Sequence, residues 1–392
     1  MLTGKNALGS PIVINVDNTS VCFVGRTRCG KSTQISKLIS ESVNDTECIN
    51  IIFDIKSDFV KRFYKPGDKI LSLHNNGSIS ENWSLIRELL SSPNPDDAAA
   101  ELAGSVFSEA VSHSSQPFFA KSARTIFETY LRLLVRKCPK APPTNEQLIN
   151  SVLSFDESRL INECKPYPEL MGVNKLIMGA AATVGGIRAE LNQALSDTFK
   201  GSFCSNGSFS ICKYIRNNSC GTVYLVTSVN ELQSSVNAFR IILDLAVKES
   251  LSGTAKAKKL CFFIDELPLL GRLEHLQTLL NFGAGYGASA IIGFQSVAQL
   301  VSAYDESDAN AIISGLRTQI VFNANDNATG DYFSLRSGKE LRTVTRMGND
   351  RKPFITTAEL PAVTTAELMR LNTGQAYCFA SGEPARFIFF DE

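Results

Sequence analysis

Apolar residues along this chain follow two rhythms. Short runs rich in apolar residues, Ser20–Val24, Ile49–Phe53 and Lys69–Leu73, predict strands. A glycine-containing loop and a helix running to about Ser42 separate the first two, giving a strand–loop–helix–strand unit, the start of a parallel α/β sheet. Between 85 and 215 the spacing becomes helical, as in Ala98–Phe107, Ala120–Arg136, Asn145–Leu153 and Gly185–Phe199, with prolines between the runs. Alternation then resumes: strand Thr222–Thr227, helix Asn237–Ser252, strand Leu260–Ile264 and helix Arg272–Phe282. Strand Ala288–Phe294, helix Asp308–Leu316 and strand Gln319–Phe322 follow. A closing pair, Gln375–Ala380 and Ala385–Phe390, flanks the turn residues Ser381-Gly382-Glu383-Pro384. The pattern predicts an α/β domain in two pieces, 1–84 and 216–392, with an all-α domain inserted at 85–215.

Composition narrows this little. With 392 residues the chain is long enough for two or three cores, and 39 basic residues balance 39 acidic ones. No broad basic face is forced, so any nucleic acid is expected in a local groove or pore. The ten cysteines form no C-x-x-C pair and no zinc-like spacing, which suits a reducing cytoplasm. No run approaches the roughly 18 apolar residues of a membrane span, and the N-terminus has no signal-peptide pattern. The expectation is a soluble chain.

The most specific signal is Gly25-Arg26-Thr27-Arg28-Cys29-Gly30-Lys31-Ser32, which fits G-x-x-x-x-G-K-[ST] and is followed by Thr33. Its glycines let the backbone wrap so that N–H groups point inward at phosphates. The loop ends at a helix N-terminus, where unpaired N–H groups and the helix dipole favour anions. Lys31 can reach the β- and γ-phosphates of ATP, and the Ser32 hydroxyl can ligate Mg2+. The strand before and the helix after are the context the motif requires.

Leu260-Cys261-Phe262-Phe263-Ile264 is an apolar strand ending in Asp265 and Glu266. Acids at the C-terminal end of such a strand share the sheet edge with the phosphate loop. Asp265 is expected to hold the Mg2+ shell, and Glu266 to take a proton from the attacking water or orient it. Gln295 ends the next buried strand and is a candidate sensor of the γ-phosphate. Gly283-Ala284-Gly285-Tyr286-Gly287 follows a helix and precedes a strand, the reverse of a dinucleotide loop, and reads as a turn. His74, His113 and His275 stand isolated in the sequence and receive no role.

From Lys31 to Asp265 is 234 residues, so the helical block interrupts the two halves of the ATP site. At this point the chain resembles the TraD/TrwB group of type IV coupling proteins, within the FtsK–HerA family of DNA pumps. The likeness extends over nearly the whole chain. Beyond the P-loop it is carried by Phe53-Asp54-Ile55-Lys56-Ser57-Asp58-Phe59, Gln116-Pro117-Phe118-Phe119 and Ala123-Arg124-Thr125-Ile126-Phe127. The most specific stretches are Phe263–Pro268 with Leu273, then Gly283–Gly287 and Gly293-Phe294-Gln295-Ser296. The resemblance implies a RecA-like P-loop NTPase that hydrolyses ATP, with a mostly parallel central sheet. It implies a homohexameric ring around DNA, single-stranded and bound to a relaxase, which is handed to a type IV secretion channel. It also implies a cytoplasmic location, at the cytoplasmic face of the bacterial inner membrane.

Three departures from the family pattern stand out. Its members usually begin with membrane-spanning helices and many end in a partner-binding tail, and this chain has neither. It is expected to be either trimmed or a soluble member that docks on a membrane partner. Around the last core strand the family commonly carries arginines where this chain has Gln319 and Asn323. Arg317 is then the candidate arginine finger, with Arg336 next. Two other readings stay open: a nucleotide-switched adaptor that recruits secretion substrates, and a HerA-like DNA-processing motor.

Overall fold

The structure is a computed structural model that describes residues 1–74, 80–113, 116–137, 142–347 and 353–390. The chain divides into two compact units. One comprises Met1–Asn44, Cys261–Gly271 and Gln277–Glu392; the other comprises Asp45–Leu260 and Arg272–Leu276. In chain order the strands begin β1 (Leu2–Lys5), β2 (Pro11–Ile14), β3 (Val21–Val24), β4 (Cys48–Asp54), β5 (Lys69–Ser72) and β6 (Gly221–Val226). They continue β7 (Lys259–Ile264), β8 (Ala288–Phe294), β9 (Thr318–Val321), β10 (Lys339–Met347), β11 (Pro353–Pro361), β12 (Gln375–Ala380) and β13 (Arg386–Phe389).

In the first unit the strands lie in the order β2-β1-β13-β12-β9-β3-β8-β7. β3 runs parallel between β9 and β8, with Val24 opposite both Val321 and Phe294. Every residue of β3, β8 and β9 is buried; β3 is wholly apolar, β8 nearly so, and β9 opens with the polar Thr318 and Gln319. Parallel strands bring the loops after Val24, Phe294 and Val321 to one edge of the sheet. The outer strands are antiparallel: β12 pairs with β9 and β13, and β1 with β13 and β2. β10 and β11 form a separate hairpin, in register from Lys339↔Pro361 to Met347↔Pro353.

In the second unit β4, β6 and β5 form a parallel run. Its other main elements are the helices Pro95–His113, Pro117–Lys137, Ala181–Thr198 and Leu232–Ser250. Their apolar faces meet in contacts such as Phe107 on Phe127, with ring centroids 5.9 Å apart. Gly186 lets two of these helices close up, since a Cβ there would stand 2.7 Å from the Phe119 ring. Glu88 is fully buried and saturated with donors. It accepts from Trp83 Nε1 (2.8 Å), the Ser210 hydroxyl (2.6 Å) and the amides of Ile211 (2.6 Å) and Cys212 (3.2 Å). This carboxylate fixes the start of the helix Ile211–Asn217.

Each expected strand is observed within a residue or two, whereas β1, β2, β10 and β11 were not expected. The expected helix Arg272–Phe282 starts later, at Leu276, and a 3₁₀ turn, Leu267–Leu270, precedes it. Pro268 sits inside that turn, and Gly271 leaves it at φ +71. Among the described residues no single helix is long and apolar enough to cross a membrane.

Candidate nucleotide site

β3 delivers the chain to the phosphate loop at the sheet edge. Gly25 turns it at φ +142, and a Cβ there would stand 2.9 Å from both the Asn323 carbonyl and the Phe322 side chain. Gly30, at φ +115, opens the helix Lys31–Ser42. Between them Arg28 holds φ +62, a left-handed conformation that costs on the order of 1–3 kcal/mol and persists only when its surroundings enforce it. Those surroundings are identifiable. The Arg26 amide donates to the Asn323 carbonyl (3.0 Å), and the Cys29 carbonyl accepts from the Gly374 amide (3.1 Å). Cys29 is buried, and burial pushes its thiol up, so it serves as a neutral packing group.

Lys31 is buried, and its ammonium donates to the Gly25 carbonyl and, at 3.0 Å, to the Arg26 carbonyl. The charge is therefore held at the centre of the loop. Ser32 and Thr33 are exposed on the first helical turn, and Arg26 and Thr27 are exposed in the loop. The Ser32 hydroxyl donates to Asp265 Oδ2 at 2.7 Å. Two segments far apart in sequence thus present a hydroxyl and a carboxylate to one point.

A third glycine, one that sequence reasoning left without a role, sets the acid pair. A Cβ on Gly293 of β8 would lie 2.1 Å from the Asp265 carbonyl oxygen, so only hydrogen fits. This close approach brings Gln295 to Glu266: Gln295 Nε2 donates to Glu266 Oε2 at 3.1 Å. Burial pushes the Glu266 carboxyl above the usual carboxylate range. The Gln295 amide and the Lys31 ammonium oppose that rise, while Asp265 adds to it. The signal in the sequence was a lone glycine inside an apolar strand, a mark of close backbone approach.

The donor set suits a hard divalent cation carried on a nucleotide. Mg2+ takes one or two protein oxygens and fills its shell with waters and phosphate oxygens, and Ser32 and Asp265 offer such oxygens beside a buried lysine and a helix N-terminus.

Arg317 lies elsewhere in the same chain. It precedes β9 at the other end of the strand, roughly 13 Å along the sheet from the edge that carries the loop. It is exposed and lines a cavity of about 350 Å³ together with Arg336. Arg336 also stacks over Tyr332, 5.6 Å from the ring centroid. The positions where arginines were expected have structural work instead. Gln319 donates to the carbonyls of Ile313 (2.8 Å) and Leu316 (3.0 Å), and Asn323 donates to those of Met369 (2.9 Å) and Leu371 (2.7 Å).

Residues 6–388 match the family model of the type IV secretion-system coupling protein DNA-binding domain. The coupling protein TraD of Escherichia coli (strain K12) is 24% identical over 336 residues, 84% of this chain and 45% of TraD. VirD4 of Rhizobium rhizogenes is 29% identical over 138 residues, 34% of this chain and 20% of VirD4. This chain thus spans less than half the length of these curated relatives. Among solved structures, the bacterial conjugative coupling protein TrwBdeltaN70 superposes with a TM-score of 0.80 at 20% identity, covering 99% of this chain and 88% of that one. TrwB in complex with ADP and Mg2+ gives 0.79 at 20% identity, covering 100% and 90%. The fold is accordingly that of a RecA-like P-loop NTPase. The chain belongs to the family of the type IV secretion-system coupling protein DNA-binding domain.

Proposed function

We propose that this chain is the ATP-hydrolysing motor part of a conjugative coupling protein. One contact carries the reading: Ser32 and Asp265 meet at 2.7 Å beside Lys31, with Glu266 held by Gln295 on the same sheet edge. TraD and VirD4 are its relatives, and TrwB has been solved with ADP and Mg2+ and with non-hydrolysable ATP and GTP analogues. In this reading residues 25–33 cradle the triphosphate and Lys31 neutralises its β- and γ-oxygens. Mg2+, held by Ser32 and Asp265, would supply charge neutralisation across those oxygens. Glu266, its carboxyl raised by burial, takes the proton of the attacking water or orients it, and Gln295 keeps that carboxylate aimed.

The all-α insertion at 85–215, between the nucleotide-binding parts 1–84 and 216–392, is proposed as the body that moves with the nucleotide cycle. Around it we propose a homohexamer threading single-stranded DNA, bound to a relaxase, into a type IV secretion channel. It would work at the cytoplasmic face of the bacterial inner membrane, tethered by a membrane segment of its own or of a partner. Arg317 would enter the neighbouring subunit's site. The test is DNA-stimulated ATP hydrolysis with Lys31→Ala and Glu266→Gln. Both variants should fall to background, the second with nucleotide affinity intact. Turnover near wild type in Lys31→Ala would overturn the assignment, whereas ATP-dependent partner binding indifferent to DNA would favour the adaptor.

A further inference from the structure

A nucleoside triphosphate has a phosphate end and a base end, and the loop 25–33 accounts only for the first. Glu266 and Gln295, which act at the γ-phosphate in the ATPase reading, follow β7 and β8 on one side of β3. The nucleoside therefore leaves the loop on the other side of β3, over β9, β12 and β13, all within the first unit. At the usual strand spacing β12 and β13 lie roughly 10 and 14 Å from β3. β12 runs antiparallel to both β9 and β13, so the start of β12 and the end of β13 reach the edge that carries the loop.

Phe389 closes β13 at that edge. Alternation along the strand buries Ile388 and Phe390 and turns the Phe389 ring outward, 38% exposed. The strand end beneath it is pinned. Phe390 packs on Phe322 with ring centroids 5.7 Å apart, and its amide donates to the Gly374 carbonyl at 2.8 Å. Gly374 also ties this end to the phosphate loop. Its amide donates to the Cys29 carbonyl at 3.1 Å, and a Cβ on Gly30 would lie 3.8 Å from the Gly374 nitrogen. A Cβ on Gly374 would lie 3.5 Å from Phe389 Cε2. Loop and ring are thus joined through one residue, and it carries no side chain. Among the described residues of this unit, the other large exposed aromatic side chains are Phe282 and Tyr286. Both precede β8 and stand at the opposite end of the strands.

We propose that Phe389 is the base-stacking residue of the nucleotide site, the ring on which the purine of ATP lies. The proposal rests on the ATPase reading above and adds to it the residue that holds the base. Stacking a base on an aromatic side chain is worth roughly 5- to 150-fold in affinity. A ring fixed on a strand end loses little freedom when the base arrives, so most of that gain is kept. A π-face carries no donor or acceptor pattern. Phe389 therefore selects a flat, extended base without distinguishing adenine from guanine. Gly374 matters for the same reason: its missing side chain leaves the ring open towards the loop, and its φ of +81 keeps the position for glycine.

The test separates the base from the phosphates. Calorimetry on the full chain with Mg2+ measures ATP, GTP and inorganic triphosphate, in wild type, Phe389→Ala, Phe389→Trp and Lys31→Ala. We expect Phe389→Ala to weaken ATP and GTP alike by about tenfold and to leave inorganic triphosphate within about twofold. Phe389→Trp should keep the affinity for ATP, and ATP but not triphosphate should quench the added indole. Unchanged ATP affinity in Phe389→Ala would overturn the proposal. Equal losses for ATP and triphosphate would do the same, since they mark a ring that only supports the fold. So would an indole at 389 whose emission ignores ATP. The ATPase reading fails by a different sign, in the triphosphate arm. Wild type that binds neither ATP nor triphosphate, or Lys31→Ala that binds both normally, would remove the phosphate site and the proposal with it. Loss of the base contribution alone would leave the phosphate site standing.

Discussion

Replacing Gly293 with Ala tests the geometry of the hydrolytic site without touching a functional group. The new Cβ would start 2.1 Å from the Asp265 carbonyl oxygen, with the Asp265 carbonyl carbon at 2.9 Å. Both opposing atoms are backbone, so no rotamer can relieve the clash. Reaching the 3.0 Å below which such contacts do not occur requires β8 and the Asp265 backbone to part by about 0.9 Å. That displacement acts on Asp265, Glu266 and the Gln295 bond together. A misplacement of about 1 Å at a catalytic group costs about 10²-fold in rate, or about 2.7 kcal/mol of barrier. Overpacking should also cost about 1–3 kcal/mol of stability. The assay is single-turnover ATP hydrolysis, with nucleotide affinity and urea midpoint measured beside it. The loss of rate should exceed any loss of affinity, because Lys31 and the loop 25–33 leave from β3 while the displacement falls on Asp265, Glu266 and Gln295. A Gly293→Ala protein with wild-type single-turnover rate would refute the claim that this approach sets the acid pair.

The other predictions are shorter. Glu266→Gln should lower kcat about 10²–10⁴-fold and remove the acid limb of the wild-type profile, a limb that should lie above the ordinary carboxylate value because burial raises Glu266. The sign follows from the base role: protonation on the acid side disables it, so kcat rises with pH through that value. Glu88→Ala should leave four donors unpaired and cost about 3 kcal/mol or more, read from the urea midpoint, with active-site chemistry unchanged in whatever fraction folds. Affinity for single-stranded DNA should fall steeply with salt, by a log–log slope of about −0.7 per phosphate neutralised. Arg317→Ala should bind ATP yet lose about 10³-fold or more in rate, and mixing it with Glu266→Gln should restore activity; full activity in Arg317→Ala would move the finger to Arg336.

The sequence made the phosphate loop, the acid-tipped strand and Gln295 legible because each is local: a motif, a run, a strand end. What it concealed depends on pairing. β1 mixes polar and apolar residues and β2, though apolar, is largely uncovered; both are four-residue strands because β13 and each other complete their ladders. β10 and β11 carry exposed Leu341 and Ile355, so no buried face announced them. Gln319 and Asn323 looked like vacated arginine positions. Only the fold reveals them as donors to backbone carbonyls, Gln319 to the end of the preceding helix and Asn323 to residues more than 40 positions on, a role any buried amide could fill. His275 looked isolated for the same reason, since its partner lies 31 residues upstream.

The props of the phosphate loop come from the last third of the chain, and this bears on how the protein is made. β3 cannot complete its ladders until β8 and β9 exist, and the loop leans on Asn323 and Gly374. At about 5–20 residues per second a ribosome would need tens of seconds between releasing Lys31 and releasing Gly374. A nascent chain would carry the complete nucleotide motif long before it could close the loop around a phosphate. Nucleotide capture would therefore mark the end of folding, stabilising only a finished chain and leaving ribosome-bound fragments unable to draw on the cellular ATP pool.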